Sequence, residues 1–279
     1  MQVNRDTQLC ISVSARPSEH GNRFHNYLYE KLGLNFIYKA HRVEDIDGAI
    51  AGVRALGIRG CSVSMPHKQR VLDLVDEVDE SAAVIGAVNT VVNTDGHLAA
   101  YNTDVLAVSQ LLAQRAVDPS LPVLLRGSGG MAAAVAGAFY RAGFSAVTIV
   151  ARNEQAGRAL ASRYGWDWVA HEDQLSVSLL ATARPAVLVN VTPLGMEGGD
   201  ESETLSFPLS LIDSAQVIVD AVALPVATPL VRAARERSKQ IIHGGDIIAL
   251  QAAEQFKLYT GVELTPELVR EAEEYASIH

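Results

Sequence analysis

A glycine turn between a short apolar run and a run of small residues is the feature that most restricts how this chain can fold. Segment 123–134 reads VLLRGSGGMAAA, the pattern of a strand, a turn and a closely packed helix. Gly127, Gly129 and Ala132 match the G-x-G-x-x-G/A spacing, which permits a tight turn and close approach of a pyrophosphate. A helix that begins there directs unpaired N–H groups at phosphate. The segment therefore predicts a dinucleotide site formed by Gly127, Ser128, Gly129, Gly130 and Met131.

A second apolar run, 146–150, leads to Arg152 and Asn153, where a Rossmann strand presents the residues that contact the adenosine ribose. NAD sites usually have Asp or Glu at this position, whereas a guanidinium suits the 2′-phosphate of NADP. Arg152 therefore favours NADP as the cofactor over NAD. An ordinary surface arginine after a strand is the alternative interpretation.

Composition excludes several classes of protein. The 279 residues, 48% of them hydrophobic, are enough for two domains with well-filled cores. A formal charge of −9 without a clustered basic face argues against a nucleic-acid partner. Because no uncharged apolar stretch reaches about 18 residues and the first ten residues lack an apolar signal region, a membrane partner is not expected and the location is expected to be cytoplasmic.

The two cysteines, Cys10 and Cys61, lie far apart in sequence and outside any C-x-x-C spacing. A disulfide scaffold and a structural metal are therefore not expected. Small buried side chains are the interpretation that we adopt for both cysteines.

Strand-like and helix-like segments alternate along the chain, the pattern of an α/β protein with parallel sheets. The first third contains expected strands at 8–14, 35–40 and 60–64, a helix from Pro66 to about Leu74, and a hairpin around Asp95 and Gly96. Six further strands are expected at 122–126, 146–151, 167–170, 187–190, 217–220 and 240–243, each followed by a helix or loop. Two terminal helices, 247–259 and 265–277, are expected to return to the first domain.

Polar residues follow several of the apolar segments in the first domain. Lys68, Asn89 and Asp104 each stand just beyond an expected strand or helix. Strand ends face the ligand crevice in α/β folds, so the three side chains would share one cleft if the sheet is parallel there. The alternative interpretations are local: Asp104 as the cap of the next helix, and Asn89 as a partner of loop backbone groups.

Together these segments resemble the shikimate/quinate dehydrogenase family, and the shikimate dehydrogenase-like branch in particular. The matching segments, in chain order, are 60–68 (GCSVSMPHK), 86–90 (GAVNT), 101–104 (YNTD), 190–196 (NVTPLGM), 220–230 (DAVALPVATPL) and 250–256 (LQAAEQF). The resemblance covers nearly the whole chain in the family's order. It implies a two-domain α/β fold, with a substrate-binding domain at 1–104 completed by helices in 245–279, and a Rossmann-type NADP-binding domain at 105–244.

The resemblance also assigns roles to individual residues. It implies Lys68 and Asp104 as the catalytic pair. For substrate binding it implies Ser64, Asn89 and Gln251. For cofactor binding it adds Asn190, Thr192, Val222 and Gly244 to the glycine turn and to Arg152 and Asn153.

The chain departs from the family where two serines of an S-x-S-P-x-x-H-N segment hold the substrate carboxylate. Counting back from His25 and Asn26, those positions are Glu19 and Gly21. Either Arg16 with Ser18, or Ser12 with Ser14, would take over this contact, and an arginine offers a charge-assisted pair. Two further departures are Ala223 in place of the family's tyrosine and Asp246 in place of a glycine.

The function implied is an NADP-dependent oxidoreductase that interconverts shikimate and 3-dehydroshikimate, or a close cyclic hydroxy acid. In this hypothesis Lys68 relays the proton of the reacting hydroxyl and Asp104 orients both groups. The alternatives are a quinate dehydrogenase, a methylene-tetrahydrofolate dehydrogenase, and a cofactor-bound sensor with low turnover. A homodimer is a possible assembly.

Overall fold

The computed structural model describes residues 3–170 and 185–277. The chain divides into two compact units, one formed by Met1–Leu106 with Ala249–His279 and the other by Ala107–Ile248. The boundaries expected from the sequence, after residues 104 and 244, lie close to these. The substrate-binding and cofactor-binding roles of the two units remain predictions.

A mixed six-stranded sheet forms the centre of the first unit, in the order β2-β1-β3-β5-β6-β4. Strands β1, β2 and β3 are parallel, and β5 is antiparallel to both β3 and β6. The elements of this part are β1 (Gln8–Ser14), α1 (His20–Lys31), β2 (Phe36–Arg42), α2 (Ile46–Ala55), β3 (Gly60–Val63), a 3-10 helix (Arg70–Leu74), β4 (Glu77–Val78), α3 (Glu80–Ala83), β5 (Thr90–Thr94) and β6 (His97–Tyr101). Helix α4 (Thr103–Gln114) follows, and it belongs to the second unit from Ala107 onward.

The hairpin of β5 and β6 confirms the turn expected from sequence. Asp95 and Gly96 both have positive φ angles, 52° and 89°, as a two-residue hairpin turn requires. Register pairs Thr94 with His97 across the turn.

The helix expected from Pro66 to about Leu74 is wrong in its first half. Residues 65–69 form turns, and only the short 3-10 helix at Arg70–Leu74 follows. The carbonyl of Lys68 accepts a hydrogen bond from the N–H of Val88 at 2.8 Å instead of serving an α-helical bond. This contact with a distant segment outweighs the local preference.

A fully parallel six-stranded sheet forms the centre of the second unit, in the order β12-β11-β10-β7-β8-β9. Its elements are β7 (Val123–Arg126), α5 (Gly130–Arg141), β8 (Val147–Ala151), α6 (Glu154–Tyr164), β9 (Asp167–Ala170), β10 (Val187–Asn190), α7 (Leu209–Ser214), β11 (Val217–Asp220), α8 (Pro229–Glu236) and β12 (Gln240–His243). All six strands expected from sequence are confirmed. The helix or loop expected after strand 167–170 lies outside the described residues.

The sheet of the second unit reverses its strand order between β7 and β10, the switch point of a doubly wound fold. The inner strands β10 and β11 are buried on both faces, with every residue buried. Ligands bind such sheets beyond the carboxyl ends of the strands at this reversal.

Two helices complete the described chain, α9 (Gly244–Thr260) and α10 (Pro266–Ser277). The Thr265 hydroxyl accepts a hydrogen bond from the Leu268 N–H at 3.3 Å, which confirms the expected start of α10. Phe256 and Ala272 pack with Phe24 of α1 in one buried cluster of the first unit, so the C-terminal segment does return to it.

Close contact between β3 and α9 depends on a glycine. A Cβ atom at Gly60 would lie 2.3 Å from the ring of Tyr259. Tyr259 is itself buried. The strand and the helix can pack at this distance only without a side chain at position 60.

Cys10 and Cys61 are buried free thiols, as expected. Burial raises the pKa of each to about 12, so both remain protonated in the neutral range. Within residues 3–170 and 185–277, no three His, Cys, Asp or Glu side chains form a cluster suited to a metal ion. None of the helices described in these ranges combines the length and apolar character needed to cross a bilayer.

Candidate functional site

A polar cavity lies in the first unit, and we call it the serine cavity. Its lining includes the six predicted residues Ser12, Ser14, Arg16, Ser18, Ser64 and Gln251. Both alternatives for holding a carboxylate, Arg16 with Ser18 and Ser12 with Ser14, therefore border the same space. Hydroxyl groups, one guanidinium and side-chain amides are suited to a small polyhydroxylated acid.

Gln255 also lines the serine cavity and was missed by the sequence analysis. Its side-chain Nε2 lies 2.9 Å from Thr90 Oγ1, 3.2 Å from Ser62 Oγ and 3.4 Å from the Asn89 carbonyl. One amide thus connects α9 to β3 and β5 beneath the cavity. Its position four residues after Gln251, on the same helix face, is the sequence signal that could have identified it.

His25 lines the cavity as well, and its ring is stacked on Tyr38 with centroids 4.4 Å apart. Burial lowers the pKa of His25 to about 3, against a smaller opposing effect of its hydrogen bond with Gln255. The imidazole is therefore neutral at physiological pH. It contributes hydrogen-bonding capacity to the cavity without contributing charge.

Asn89 organises the start of α4. Its Oδ1 accepts hydrogen bonds from the N–H of Thr103 at 2.8 Å and from the hydroxyls of Thr103 and Thr90 at 3.1 and 2.8 Å. Gln251 donates to the same Thr103 hydroxyl at 3.0 Å. The predicted substrate-binding residues Asn89 and Gln251 are thus joined through Thr103, the residue that precedes Asp104.

Lys68 and Asp104 form an ion pair, with Nζ 3.0 Å from Oδ2. Both side chains are partly buried, 30% and 15% exposed. The local alternative for Asp104 is wrong, because Asn102 caps α4 by accepting from the Val105 N–H at 3.1 Å. Asp104 instead lies in the first turn of α4, and its carboxylate accepts a hydrogen bond from Lys68 Nζ.

A second cavity lies in the second unit, and we call it the nucleotide cavity. Six predicted cofactor residues line it: Gly127, Ser128, Gly129, Arg152, Asn153 and Thr192. It lies at the carboxyl ends of β7, β8 and β10, at the switch point of the sheet. Gly129 is the N-cap residue of α5, so the unpaired N–H groups of the first turn begin at this cavity.

The glycine turn has the backbone that a pyrophosphate cradle needs. Gly127 has φ +129°, and a Cβ atom there would lie 2.8 Å from the Val191 side chain. Ala132 is fully buried, which allows α5 to pack closely on the sheet. These observations fit a dinucleotide.

The remaining predicted cofactor residues are not among those that line the nucleotide cavity. Gly130 and Met131 are the first two residues of α5, and Gly244 is the first of α9. Asn190 is buried, and its amide donates to Asp220 Oδ1 at 3.0 Å while accepting from the Thr192 hydroxyl at 2.6 Å. The N–H of Val222 also bonds Asp220. Asn190 and Val222 therefore share Asp220, the last residue of β11, as a hydrogen-bond partner.

Arg152 and Asn153 follow β8, as expected. The Asn153 side chain caps α6 by accepting from the Ala156 N–H at 3.0 Å. The nucleotide cavity also contains an acidic residue that the sequence analysis missed, Glu201, whose Oε2 lies 3.8 Å from Arg152 Nη1.

The strand order of the second sheet and the glycine turn at its switch point define a Rossmann-type α/β protein. A family model described as the shikimate dehydrogenase substrate binding domain matches residues 16–91. A "Shikimate dehydrogenase-like protein" of Haemophilus influenzae is 49% identical over 274 residues, which cover 98% of each chain. A "Shikimate dehydrogenase (NADP(+))" of Rubrobacter xylanophilus is 39% identical over 94% of each chain.

A solved structure extends the likeness to the fold. The shikimate 5-dehydrogenase of Thermus thermophilus, in complex with NADP(H) and shikimate, superposes with a TM-score of 0.80 at 30% identity, over 96% of this chain and 100% of that chain. This chain belongs to the shikimate dehydrogenase family of oxidoreductases.

Proposed function

We propose that this protein is an NADP-dependent oxidoreductase that interconverts shikimate and 3-dehydroshikimate or a close cyclic hydroxy acid, with Lys68 and Asp104 as the catalytic pair. The observation that carries the proposal is the 3.0 Å pairing of Lys68 Nζ with Asp104 Oδ2 at the two positions that match the family's catalytic motifs. The NADP(+) name of the Rubrobacter relative and the ligands of the Thermus structure support the cofactor and the substrate.

The serine cavity supports an acidic, hydroxylated substrate. Its hydroxyl groups and amides can accept and donate hydrogen bonds to several ring hydroxyls, and Arg16 can pair with a carboxylate. Such a site discriminates strongly against analogues that leave its buried polar groups unpaired. The substrate is therefore expected to satisfy both the arginine and the hydroxyls.

Lys68 and Asp104 would handle the proton of the reacting hydroxyl. The amine at Lys68 Nζ would accept this proton on oxidation of the hydroxyl, and the ammonium would return it on reduction. The Asp104 carboxylate would hold the lysine side chain in place through the ion pair. Asp104 is itself positioned from both sides, since Asn102 caps α4 and Asn89 bonds the Thr103 N–H.

A bound NADP would supply the hydride-transfer chemistry. The residues that would hold it are the glycine turn at Gly127 and Gly129, the N-terminus of α5, and Arg152 at the ribose. Thr192 would border the cofactor on the β10 side of the nucleotide cavity.

The first test is a kinetic panel with the purified protein, in which NADP and NAD reduction are followed with shikimate, quinate, and dehydroxylated and aminated analogues of shikimate. Efficient turnover of shikimate with NADP is the expected result. Fast turnover of another acid would support the proposed oxidoreductase chemistry and show that the substrate is not shikimate. Turnover of quinate with NAD would replace the proposal by a quinate dehydrogenase, and no turnover of any compound would favour a binding or sensing role.

A second test addresses the catalytic pair. Lys68→Ala is expected to lower kcat by about 100- to 10,000-fold with little change in substrate KM, because the proton acceptor is lost while the serine cavity is intact. Lys39→Ala, which removes an exposed lysine of β2, is the matched control and should keep wild-type kinetics. An unchanged kcat in Lys68→Ala would contradict the assignment of Lys68 as a catalytic residue.

A further inference from the structure

An acidic side chain faces the arginine that would read the cofactor ribose. Glu201 and Arg152 both line the nucleotide cavity, and Glu201 Oε2 lies 3.8 Å from Arg152 Nη1. Both side chains are about half exposed, 47% and 64%. The pair is therefore open to solvent and to a ligand.

The position of Glu201 is fixed by its backbone. The Glu201 carbonyl accepts hydrogen bonds from the N–H groups of Gly195 and Thr204, both at 3.0 Å. Gly195 directly follows Pro193 and Leu194, which line the nucleotide cavity. The backbone of Glu201 is thus hydrogen-bonded to the loop that borders the cavity.

Three neighbouring charged side chains have other partners. Glu203, two residues further on, pairs with Arg232 at 3.0 Å. Arg158 of α6 lies over the Trp168 ring at 4.2 Å from its centroid and pairs with Glu154 at 2.8 Å. Arg126, the other arginine that lines the nucleotide cavity, donates to the Ser206 carbonyl.

We infer that Glu201 is a cofactor-specificity residue that weakens the preference of the nucleotide cavity for a 2′-phosphate over a 2′-hydroxyl. Its carboxylate competes with a 2′-phosphate for Arg152. A 2′-phosphate carries a charge of about −1.5 to −2, and the Glu201 carboxylate beside Arg152 repels it. A 2′-hydroxyl is uncharged and can donate a hydrogen bond to the same carboxylate. The inference rests on the proposed function, in which Arg152 reads the 2′ position.

The test is direct binding to the full chain, measured by calorimetry with adenosine 2′,5′-bisphosphate and adenosine 5′-monophosphate, and needs no turnover. Glu201→Gln is expected to bind the bisphosphate about two- to fivefold more tightly than the wild type, the upper part of the effect that an exposed charge pair commonly gives. Binding of the monophosphate should stay within about twofold. The matched control, Glu203→Gln, should bind both probes as the wild type does.

Arg152→Gln separates failure of the inference from failure of the proposed cofactor site. If Arg152→Gln loses affinity for the bisphosphate while Glu201→Gln binds both probes as the wild type does, the role of Glu201 is overturned and the cofactor site stands. If Arg152→Gln keeps the wild-type affinity for the bisphosphate, Arg152 does not read the 2′ position and both are overturned. An equal gain in Glu203→Gln would also overturn the inference, since a general charge effect would then explain it.

Discussion

The side-chain amide of Gln255 donates a hydrogen bond to the hydroxyl of Thr90 at 2.9 Å, and this contact joins α9 to β5 beneath the serine cavity. Gln255 is only 4% exposed, and Thr90 is fully buried. A buried amide with several partners specifies one arrangement of the elements around it, because each unmade hydrogen bond is costly. Helix α9 therefore contributes directly to the shape of the candidate substrate site.

Replacing Gln255 by Leu is expected to lower the free energy of unfolding by about 1–3 kcal/mol, because Thr90 and Ser62 lose a buried partner. The affinity for the acid substrate should fall as well, since the floor of the serine cavity loses its amide. Urea unfolding and the substrate KM measure the two effects. Gln8→Leu, at an exposed position of β1, is the control and should change neither by a comparable amount.

His25 should make the stability of the protein sensitive to acid. Its folded-state pKa is about 3, below the ordinary value of 6.5, so the unfolded chain binds the proton more strongly. Its stabilising contribution is complete above pH 6.5 and is lost as the pH falls from 6.5 towards 3. At pH 5 the loss is about 2 kcal/mol.

His25→Phe keeps a flat ring for the Tyr38 stack but cannot titrate. Its free energy of unfolding should therefore fall by about 2 kcal/mol less than that of the wild type between pH 7 and pH 5. Chemical denaturation at the two pH values measures this difference. His41→Phe, at an exposed position, should lose as much as the wild type, and an identical loss in His25→Phe would contradict the prediction.

Gly127→Ala should abolish dinucleotide binding and destabilise the second unit. The substitution meets two penalties, a φ of +129° and a Cβ only 2.8 Å from the Val191 side chain. Gly143→Ala has a φ of +88° but no atom within 4 Å of the new Cβ, so it isolates the backbone penalty of roughly 1–2 kcal/mol. Thermal unfolding and NADP titration compare the variants, and equal effects on cofactor binding would argue against a special role of Gly127.

Gly60→Ala should destabilise the first unit by about 1–3 kcal/mol or more, because the new methyl group would lie 2.3 Å from the buried Tyr259 ring. Gly52→Ala, in α2 with no atom within 4 Å of the new Cβ, should instead stabilise by about 0.5–1 kcal/mol. Guanidinium unfolding of both variants gives the comparison. Opposite signs are expected, and stabilisation by both would show that β3 and α9 can separate at low cost.

Features that depend on neighbouring residues could be predicted from the amino-acid order. The glycine turn at Gly127, the hairpin at Asp95 and Gly96, and the strands of the parallel sheet each follow from turn chemistry or hydrophobic runs within a few residues. The pairing of Lys68 with Asp104 was reached by motif resemblance, since the two residues lie 36 positions apart.

Long-range contacts could not be predicted in this way. Gln255 bonds Thr90 across 165 positions of the sequence and Ser62 across 193. The residues near Gln255 in the sequence do not indicate either partner. The Lys68 carbonyl turns to Val88, which prevented the helix expected from Pro66. Glu201 lies beside Arg152 although the two are far apart in sequence, and the Gly195 N–H bonds the Glu201 carbonyl there.

The order of residues thus determined the α/β class, the dinucleotide turn and the candidate catalytic pair, because these depend on local periodicity, on backbone freedom at glycine and on motif positions. Tertiary structure decided which amides support the serine cavity, which residue caps α4 and which acid faces Arg152. Those choices depend on hydrogen bonds and charge pairs between distant segments, whose geometry exists only once the sheets have formed.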